Sequence, residues 1–494
     1  MLEGLPADGR ASLFIGGTWR PPSTGRYEPL RNPSTGHILG QVAQADASDA
    51  AAAVEAAAAV EDRWGSTSGH ERARLLQAIA NRLAADSETM ARLIASEVGK
   101  PIVESRTEVE RAVGVFRLAA DEIRHLTGES FPADAYPYPA GNERRFLFTT
   151  RDPIGVVVAI CPFNFPLNLL THKVAPALAA GNPVVVKPTS AAPFTALRLA
   201  QHAEAVGLPA GVLNVVIGPG RSVGDALVEH PKTRLVTFTG STEVGKGIAE
   251  KAGRHAKRTI LEMGGMDPFL VLEDAPLATV VPAAIRGVFG YSGQVCTASK
   301  RLLVADGIAE PFVRAFVEGV RRLKVGPALE ETTQVGPLID EAALDRLDGF
   351  VQDARDHSAS VLAGGERIGR PGEGNYFAPT VLDRVPPEAK VAREEPFGPI
   401  APILRFRDDD EAIRIANGTP YGLQATVYTN DLKRAFGLAK RIRAGSVHLN
   451  DPTNLRWDAL PFGGIKESGL GREGVHYAME EMTEVKLITV NYAP

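Results

Sequence analysis

The feature that most constrains the fold is a regular alternation of apolar segments and helical patterns between residues 155 and 265. Four segments rich in Val, Ile and Leu begin 22 to 30 residues apart, at 155–160, 183–187, 213–217 and 235–239, and helical patterns such as 193–206 and 221–230 lie between them. Such spacing is typical of βαβ units. Strands without polar alternation are typical of a parallel sheet covered on both faces. The sequence therefore predicts an α/β fold.

A second alternation of the same kind follows residue 265 and predicts a second α/β domain. PFLVL and RLLVA each precede a helical pattern, over 275–289 and 309–322, and API-LRF, ATVYT and SVHLN come later. Ahead of both domains, residues 47–125 read as helical, with Asp46 or Ser48 expected to cap the first helix. The C-terminal EVKLITVNY reads as a strand, and its partner is expected in a neighbouring subunit or in the same chain.

Length and charge exclude several classes of protein. At 494 residues the chain is expected to form two or three domains. Its 54 Lys and Arg against 59 Asp and Glu give a net charge of −5, so the sequence predicts no binding of nucleic acid or of a membrane surface. The first residues do not read as a leader, and no apolar run is long enough for a membrane span. We therefore expect a cytoplasmic protein.

Two cysteines, Cys161 and Cys296, are too few for a disulfide framework or for a Cys-rich zinc or iron–sulfur site. Cys161 ends the apolar run VVVAIC and is expected to be an inert buried thiol. Cys296 lies in GYSGQVCTASK, a glycine-containing loop after a helical pattern. Because an ordinary thiol is mostly protonated at pH 7, a nucleophilic cysteine needs a nearby base and groups that favour its thiolate.

Four other segments place polar groups where that chemistry needs them. PFNFPLN puts Asn164 in a turn between a strand and a helix, and LEMGG puts Glu262 at a strand end beside two glycines. FTGSTEVG runs from a strand into a helix, a geometry that presents backbone N–H groups to phosphate. VVVKP puts Lys187 at the C-terminal end of a strand, the rim where parallel sheets bind ligands.

Together with EEPFGP at 394–399 and PFGGIKESGLGREG at 461–474, these segments resemble the aldehyde dehydrogenase superfamily of NAD(P)-dependent enzymes from about residue 14 onward. The resemblance implies a Rossmann-like cofactor domain, an α/β catalytic domain and a small β oligomerisation flap. We expect the cofactor domain at residues 1–132 and 152–264, the catalytic domain at 265–477 and the flap at 133–151 and 478–494. The flap is expected to join subunits into a homodimer or homotetramer.

The resemblance also implies how the reaction runs and which residues carry it. Cys296 attacks the aldehyde carbon, and the Asn164 side chain with the Cys296 backbone N–H stabilises the oxyanion. After hydride transfer to the nicotinamide, Glu262 activates the water that hydrolyses the thioester to a carboxylic acid. No metal is expected. Glu473 in GREG is either a proton-relay group or a salt-bridged glutamate at a helix start.

Cofactor contacts follow from the same resemblance. Lys187, which is also one of the expected catalytic residues, is expected at the adenosine ribose. Ser241 and the turn from Gly240 to Gly245 are expected at the pyrophosphate, Glu395 at the nicotinamide ribose and Phe397 near the nicotinamide. Phe163 and Glu262 are also expected among the cofactor-binding residues. Many NAD-preferring members carry Glu three residues after the lysine, whereas this chain has Ser190 there. Without that carboxylate a 2′-phosphate is not repelled, so we expect NADP or dual use.

Two arginines, Arg111 and Arg456, are candidate ligands for an anionic group of the substrate, because guanidinium suits phosphate, sulfonate and carboxylate. YSGQxCTAxK resembles non-phosphorylating glyceraldehyde-3-phosphate dehydrogenases, although Val295 replaces their arginine, and PTNLRWDALPFGG resembles lactaldehyde dehydrogenases. We expect a small polar or anionic aldehyde of the lactaldehyde, glyceraldehyde-3-phosphate or semialdehyde type. The alternative is that Arg111 pairs with Glu108 or Glu104 and that Arg456 orders a loop through Asp458.

Three other functions stay open at this point. A CoA-acylating relative releases the thioester to a thiol, but such enzymes typically lack a glutamate at the position of Glu262. A cofactor-free Cys hydrolase or acyltransferase needs a histidine base, and the nearest, His172, lies outside any recognisable Cys–His motif. A non-catalytic protein that kept the fold is the third alternative.

Overall fold

The computed structural model describes residues 8–369 and 372–492. The first and last residues of the expected domains, 1–7 and 493–494, lie outside the described residues. The same holds for the N-terminal residues that were judged not to read as a leader. Both predicted α/β alternations are confirmed, each as one sheet with helices packed against it.

The first sheet has eight strands, in the spatial order Gly469–Leu470, Arg258–Glu262, Thr233–Thr239, Val156–Ile160, Val184–Lys187, Leu213–Val215, Leu13–Ile15 and Thr18–Arg20. Its five central strands run parallel, and the outer strands are antiparallel. The central strand Val156–Ile160 is almost wholly buried, because it is apolar on both faces and is covered by helices on both. The four predicted strands are therefore confirmed to within about two residues at most ends.

The second sheet has seven strands, in the order Ser360–Ala363, Thr380–Asp383, Ile400–Phe406, Arg301–Ala305, Pro268–Val271, Gln424–Tyr428 and Ser446–Leu449. All neighbours are parallel except the first pair. It encloses its own apolar core, separate from that of the first sheet. Small sheets pair Arg10–Ala11, Ile38–Ala43 and Tyr27–Arg31, and Arg367–Ile368 with Tyr376–Phe377.

The C-terminal strand finds its partner within the chain. Thr483–Asn491 pairs antiparallel along the whole of Arg145–Pro153, and Ser130–Phe131 completes a three-stranded sheet. Of the two expected partners, the one within the same chain is therefore present, since a nine-residue strand pairs with the whole of the terminal strand. The sheet leaves apolar side chains exposed, among them Val485 at 60% and Leu487 at 58%.

The helices follow the apolar periodicity of the sequence. Asp46 caps the first one, accepting from the Ser48 and Asp49 N–H groups, as one of the two expected caps. Among the described residues no helix is both long enough and apolar enough to cross a membrane. The helices are Ala47–Ala58, Glu61–Gly65, Gly69–Ala85, Ser87–Val98, Ile102–Glu122, Asn168–Ala179, Pro193–Ala205, Asp225–Glu229, Thr242–Arg254, Leu277–Phe289, Asp306–Val320, Glu341–Asp356, Lys390–Arg393, Asp409–Asn417, Leu432–Arg441 and Val475–Glu481.

The ends of the strands locate the site. Lys187 and Glu262 are the last residues of two parallel strands of the first sheet, and Asn164 follows a third. The next strand after Glu262 begins the second sheet at Pro268, and Cys296 precedes that sheet's strand Arg301–Ala305. The candidate residues therefore gather between the carboxyl edge of one sheet and the amino edge of the other.

Candidate active site

Cys296 lies on a loop that is held in an unusual backbone conformation. After helix Leu277–Phe289, Tyr291 and Ser292 have φ angles of 44° and 55°, a region that side chains rarely adopt. The Tyr291 hydroxyl donates to the Val98 carbonyl at 2.9 Å, and the Ser292 hydroxyl donates to Gly336 at 2.8 Å, which fixes this turn. Among the described residues, the Cys296 backbone N–H has no hydrogen-bond partner. It is therefore available to an oxyanion.

Cys296 opens onto a cavity of about 530 Å³. The residue as a whole is partly exposed, whereas Cys161 is buried, as expected of an inert thiol. The lining combines polar residues with the rings of Phe165, Phe289 and Phe462. A pocket of this size admits a small aldehyde and buries most of its surface. The sulfur that the sequence selected is thus accessible to a substrate.

Asn164 lies on the loop that joins strand Val156–Ile160 to helix Asn168–Ala179, and it is 3% exposed. Its Oδ1 accepts the Phe165 N–H at 3.1 Å. Because the oxygen is used in this way, the amide nitrogen is the side-chain group left to donate. Phe165, the next residue, lines the cavity together with Cys296.

Glu262 is the third member of the group. It is 3% exposed, and neither carboxylate oxygen has a hydrogen-bond partner among the described residues. Burial raises its pKa well above the usual range, and the nearby Glu473 charge raises it further, against the opposing effect of Arg456 and Lys173. A buried carboxylate that holds its proton toward neutral pH is suited to act as a general base.

The LEMGG segment and the Cys296 loop are in direct contact. A Cβ added at Gly265 would lie 2.9 Å from the Cys296 carbonyl oxygen, and one at Gly264 would lie 2.6 Å from the Glu395 carboxylate. Both glycines therefore permit a close approach that any side chain would prevent. Glu395, expected at the nicotinamide ribose, is thereby brought beside the cysteine loop.

A lysine that sequence reasoning missed connects these parts. Lys300 is almost fully buried, its Nζ lies 2.9 Å from Glu395, and it also donates to the Cys296 carbonyl. Although burial opposes it, Glu395 and Asp267 raise the pKa of Lys300. Its spacing of four residues after the cysteine was the available signal. Lys300 fixes the nucleophile loop and supplies the nearest positive charge to the thiol.

The thiol itself is held in its protonated form. Burial raises the pKa of Cys296 to about 12, and the carboxylates of Glu395, Glu262 and Asp267 add to the effect, while Lys300 opposes it. Three acidic groups around one sulfur disfavour a second negative charge. The nucleophile therefore rests as a neutral thiol and needs a base at the moment of attack.

The two candidate arginines both line the cavity, but neither has the partner expected from sequence. Arg111 binds Asp458 at 2.6 Å, not Glu108 or Glu104, and Arg456 binds Glu473 at 3.0 Å, not Asp458. The alternative pairing is therefore wrong, because Glu108 and Glu104 accept backbone N–H groups of other loops. Each arginine carries a compensating carboxylate while facing the cavity.

Glu473 lies in the middle of a buried charge network. Lys173 Nζ donates to its carboxylate at 2.5 Å and to Thr239 at 2.8 Å. Despite burial, Lys173 and Arg456 lower the pKa of Glu473 to about 2. The salt-bridged state expected as one alternative is therefore present. Sequence reasoning missed Lys173, because it lies in a mostly apolar helical segment that belongs to no recognised motif.

His172, the base that a cofactor-free hydrolase would need, is buried and bonded through Nε2 to Asp458 at 2.9 Å. Burial and Arg456 lower its pKa to about 4, against the effect of Asp458. Among the described residues no bond joins it to Cys296. A neutral histidine engaged elsewhere does not form a Cys–His pair.

The expected cofactor residues lie along the carboxyl edge of the first sheet. Lys187 is 8% exposed, burial lowers its pKa, and no carboxylate among the described residues is within ion-pair distance of its Nζ. Ser190, three residues on, is exposed. A buried ammonium without a counter-charge beside an exposed hydroxyl suits ribose hydroxyls or a phosphate.

Helix Thr242–Arg254 begins at the predicted glycine turn. Ser241 occupies the cap position, yet among the described residues its side chain makes no capping hydrogen bond, which leaves the N–H groups of the first helical turn without a side-chain cap. Gly245 lies against Met263, whose sulfur would be 2.3 Å from an added Cβ, and Gly240 lies against the Phe238 ring. Nearby, Phe163 and Phe397 meet edge to face, 5.8 Å between centroids.

Comparison with known proteins decides the family. The model of the Aldehyde dehydrogenase family matches residues 19–488. The chain belongs to the aldehyde dehydrogenase family. It is 37% identical to a glutarate-semialdehyde dehydrogenase of Pseudomonas putida, over 98% of each chain. It is 38% identical to a lactaldehyde dehydrogenase of Methanocaldococcus jannaschii, over 97% of this chain and all of that one. A crystal structure of an Escherichia coli NADP-dependent enzyme superposes with a TM-score of 0.94, at 38% identity over 98% of both chains.

As an aldehyde dehydrogenase, the protein is an NAD(P)-dependent oxidoreductase that converts an aldehyde to a carboxylic acid. The predicted family, fold class and enzyme class are confirmed, and a cofactor-free hydrolase and a non-catalytic protein are both wrong. Among the described residues no group of three or more His, Cys, Asp or Glu is arranged to hold a metal ion.

Proposed function

We propose that this aldehyde dehydrogenase oxidises a small polar or anionic aldehyde through a covalent thioester on Cys296, with NADP or both cofactors as acceptor. The observation that supports the proposal is that Cys296 and Phe165, the residue after Asn164, line one cavity. The Glu262 carboxylate, which has no hydrogen-bond partner among the described residues, is close enough to raise the pKa of Cys296. The relatives named above act, by name, on a semialdehyde and on lactaldehyde, both small and polar.

The first half-reaction forms the carbon–sulfur bond. Glu262 takes the proton of Cys296, the sulfur attacks the carbonyl carbon, and the oxyanion accepts hydrogen bonds from the Asn164 amide and the Cys296 N–H. When bound, the nicotinamide ring accepts the hydride that leaves this carbon. Loss of hydride converts the thiohemiacetal to a thioester. Since the thiol rests protonated, the base is needed at this step as well as later.

The second half-reaction hydrolyses the thioester. Glu262 first releases to solvent the proton that it took from Cys296. It then accepts a proton from water as the oxygen attacks the acyl carbon, and the same donors hold the second oxyanion. Collapse expels the Cys296 thiolate, which takes up a proton, and releases the acid. A buried glutamate suits hydrolysis better than transfer to CoA, so we propose water as the acceptor. NAD(P)H formation without added CoA tests that choice.

The residues present fit the cofactor. The uncapped start of helix Thr242–Arg254 offers N–H donors to a pyrophosphate, with Gly240 and Ser241 at its edge. Lys187 and Ser190 offer a cation and a hydroxyl to the adenosine ribose or its 2′-phosphate. Glu395, oriented by Lys300, would accept from the nicotinamide ribose, and Phe163 and Phe397 would flank the ring.

An anionic substrate group would be met at the polar wall of the cavity. Arg111 and Arg456 lie there beside their carboxylate partners, and Arg286 lines the same cavity with no ion pair among the described residues. Guanidinium groups can bind a second anion through unused N–H donors. This arrangement supports a carboxylate, sulfonate or phosphate on a short aldehyde.

Steady-state rates with NADP+ and NAD+ over lactaldehyde, glyceraldehyde-3-phosphate, succinate semialdehyde and benzaldehyde test the proposal, with Cys296→Ala as the inactive control. We expect the highest kcat/KM on one of the three polar aldehydes. A clear preference for benzaldehyde contradicts the proposed substrate class.

We also propose how the chain is organised and how it assembles with other subunits. The sheet of Thr483–Asn491, Arg145–Pro153 and Ser130–Phe131 leaves Val485 and Leu487 exposed, which supports its proposed role in joining subunits into a homodimer or homotetramer. The domain divisions near residues 132, 152, 264 and 477 and the cytoplasmic location likewise stay predictions. Light scattering of the purified protein tests the oligomer.

A further inference from the structure

A buried ion pair lies behind the active-site loops and takes no part in the chemistry described above. Lys100 is 0% exposed, and its ammonium donates to Oε2 of Glu108, which is 1% exposed. The Lys100 Nζ lies 3.5 Å from the centre of the Phe165 ring and 4.6 Å from that of Tyr291. Removing two charges from water is costly, so a buried pair is weak support for stability as its purpose.

Glu108 reaches the asparagine loop with its second oxygen. Oε1 accepts the backbone N–H of Leu167 at 2.9 Å and that of Asn168 at 3.1 Å. These N–H groups lie at the start of helix Asn168–Ala179, where no intrahelical acceptor exists for them. Among the described residues, no side chain of that helix start caps it. One carboxylate from another helix therefore fixes the point where the loop carrying Asn164 ends.

Lys100 also contacts this loop, through the ring of Phe165. Its ammonium lies against Phe165, the residue after Asn164, and against Tyr291 on the cysteine loop. Phe165 and Tyr291 meet edge to face, 6.3 Å between centroids. Glu104, one helical turn before Glu108, accepts the Tyr291 N–H at 3.0 Å. The segment from Lys100 to Glu108 thus contacts both the oxyanion-donor loop and the nucleophile loop.

We propose that Glu108 is a positioning residue that holds the Asn164 amide at the distance from Cys296 which the oxyanion requires. Glu108 clamps the end of the asparagine loop, and Lys100 compensates the charge of the buried Glu108 carboxylate. The proposal rests on the proposed role of Asn164. It goes beyond that role because Glu108 is 1% exposed and acts on the asparagine loop through two backbone N–H groups.

The discriminating variant is Glu108→Asp, which keeps the charge opposite Lys100 but withdraws the acceptor by one methylene. We expect its single-turnover rate of NADPH formation to fall about 10²-fold, the cost of misplacing a catalytic group or losing one oxyanion donor. The matched control is Lys100→Met/Glu108→Gln, which removes both charges but keeps an acceptor of full length. We expect this control to stay within about fivefold of the unmodified enzyme, since the clamp survives.

Two readouts separate positioning from general loosening. In Glu108→Asp we expect iodoacetamide alkylation of Cys296 and the Kd for NADP+ to change by less than about threefold, because neither needs the oxyanion donor. A comparable loss in all three measurements overturns the proposal. If Glu108→Asp does not fold, Lys100→Met/Glu108→Met, without acceptor or charge, takes its place against the same control.

Asn164→Ala, measured in parallel, separates the proposed role of Asn164 from the proposed positioning by Glu108. If Asn164→Ala keeps the unmodified rate, the proposed role of Asn164 is wrong. If Asn164→Ala is slow but Glu108→Asp is not, that role stands and the positioning proposal alone is wrong. A slow Glu108→Asp with an equally slow Lys100→Met/Glu108→Gln also contradicts it, because the loss then follows the charges and not the acceptor.

Discussion

The protonated state of Cys296 leads to a quantitative prediction about its reactivity in the cofactor-free enzyme. With the pKa raised from 9.0 to about 12, the thiolate fraction at pH 7 falls from about 10⁻² to about 10⁻⁵. Each thiolate is more nucleophilic, by roughly 20-fold over three pKa units at a Brønsted slope near 0.45. Cys296 should therefore react with iodoacetamide roughly 50-fold more slowly than an ordinary cysteine at pH 7.

The assay is the pseudo-first-order rate of carbamidomethylation, followed by intact mass in a Cys161→Ser background from pH 6 to 10. We expect the rate to rise about tenfold per pH unit without a plateau, because the thiolate fraction does so below its pKa. Glu395→Gln should speed the reaction, since it removes a carboxylate that raises the pKa of Cys296. Lys300→Met should slow it, since it removes the opposing cation.

A plateau below pH 9, or a rate at pH 7 equal to that of a free thiol, refutes this reasoning. Either result would mean that burial and the carboxylates around the sulfur do not keep the thiol protonated. Glu262 would then not be needed to deprotonate the thiol in the first half-reaction.

Three further predictions concern the base, the cofactor and the substrate. Glu473→Gln should move the acid limb of the kcat–pH profile to lower pH. The Glu473 charge raises the pKa of Glu262, so its loss lets Glu262 stay deprotonated in more acid solution. An acid limb that stays in place or moves to higher pH contradicts this. Ser190→Glu should lower kcat/KM for NADP+ by at least roughly 30-fold and leave NAD+ nearly unaffected, since facing like charges cost several kcal/mol; an unchanged NADP+/NAD+ ratio argues against 2′-phosphate binding there. Arg111→Gln should lower kcat/KM on succinate semialdehyde by roughly 10- to 100-fold, the worth of a hydrogen bond to a charged group, and leave lactaldehyde within about threefold; equal losses on both would place Arg111 outside anion binding.

Most of the fold could be predicted from local sequence patterns. The strand Val156–Ile160 and helix Pro193–Ala205 were predicted within about one residue, because continuous apolar runs and a 3.6-residue period are local signals. The partner of Thr483–Asn491 could not be predicted in the same way. Which strand pairs with a terminal strand depends on a contact across more than 300 residues, and no local pattern encodes it.

The candidate site likewise has residues that local motifs indicate and partners that they do not. Cys296, Asn164 and Glu262 could be selected as candidates because each belongs to a short motif. The partners that set their chemistry could not be selected in this way, since Lys173 meets Glu473 across 300 residues and Arg111 meets Asp458 across 347. Lys100 reads as an ordinary lysine after a glycine, and its complete burial follows only from the packing of the surrounding helices and loops. Charge pairing at such separations is a property of tertiary structure.

The central claim is that Cys296 carries the acyl group, and trapping that group tests it most directly. Glu262→Gln keeps the shape of the side chain but not its basicity, so it should slow both half-reactions. It should slow hydrolysis more than thioester formation, because water is a far weaker acid than the Cys296 thiol and depends more on the base. After mixing with a reactive aldehyde and NADP+, acid quench and peptide mapping should find the acyl group on the Cys296 peptide, with NADPH formed in matching amount. NADPH formed with no acylated Cys296 peptide, or with the acyl group on Cys161, would contradict the account.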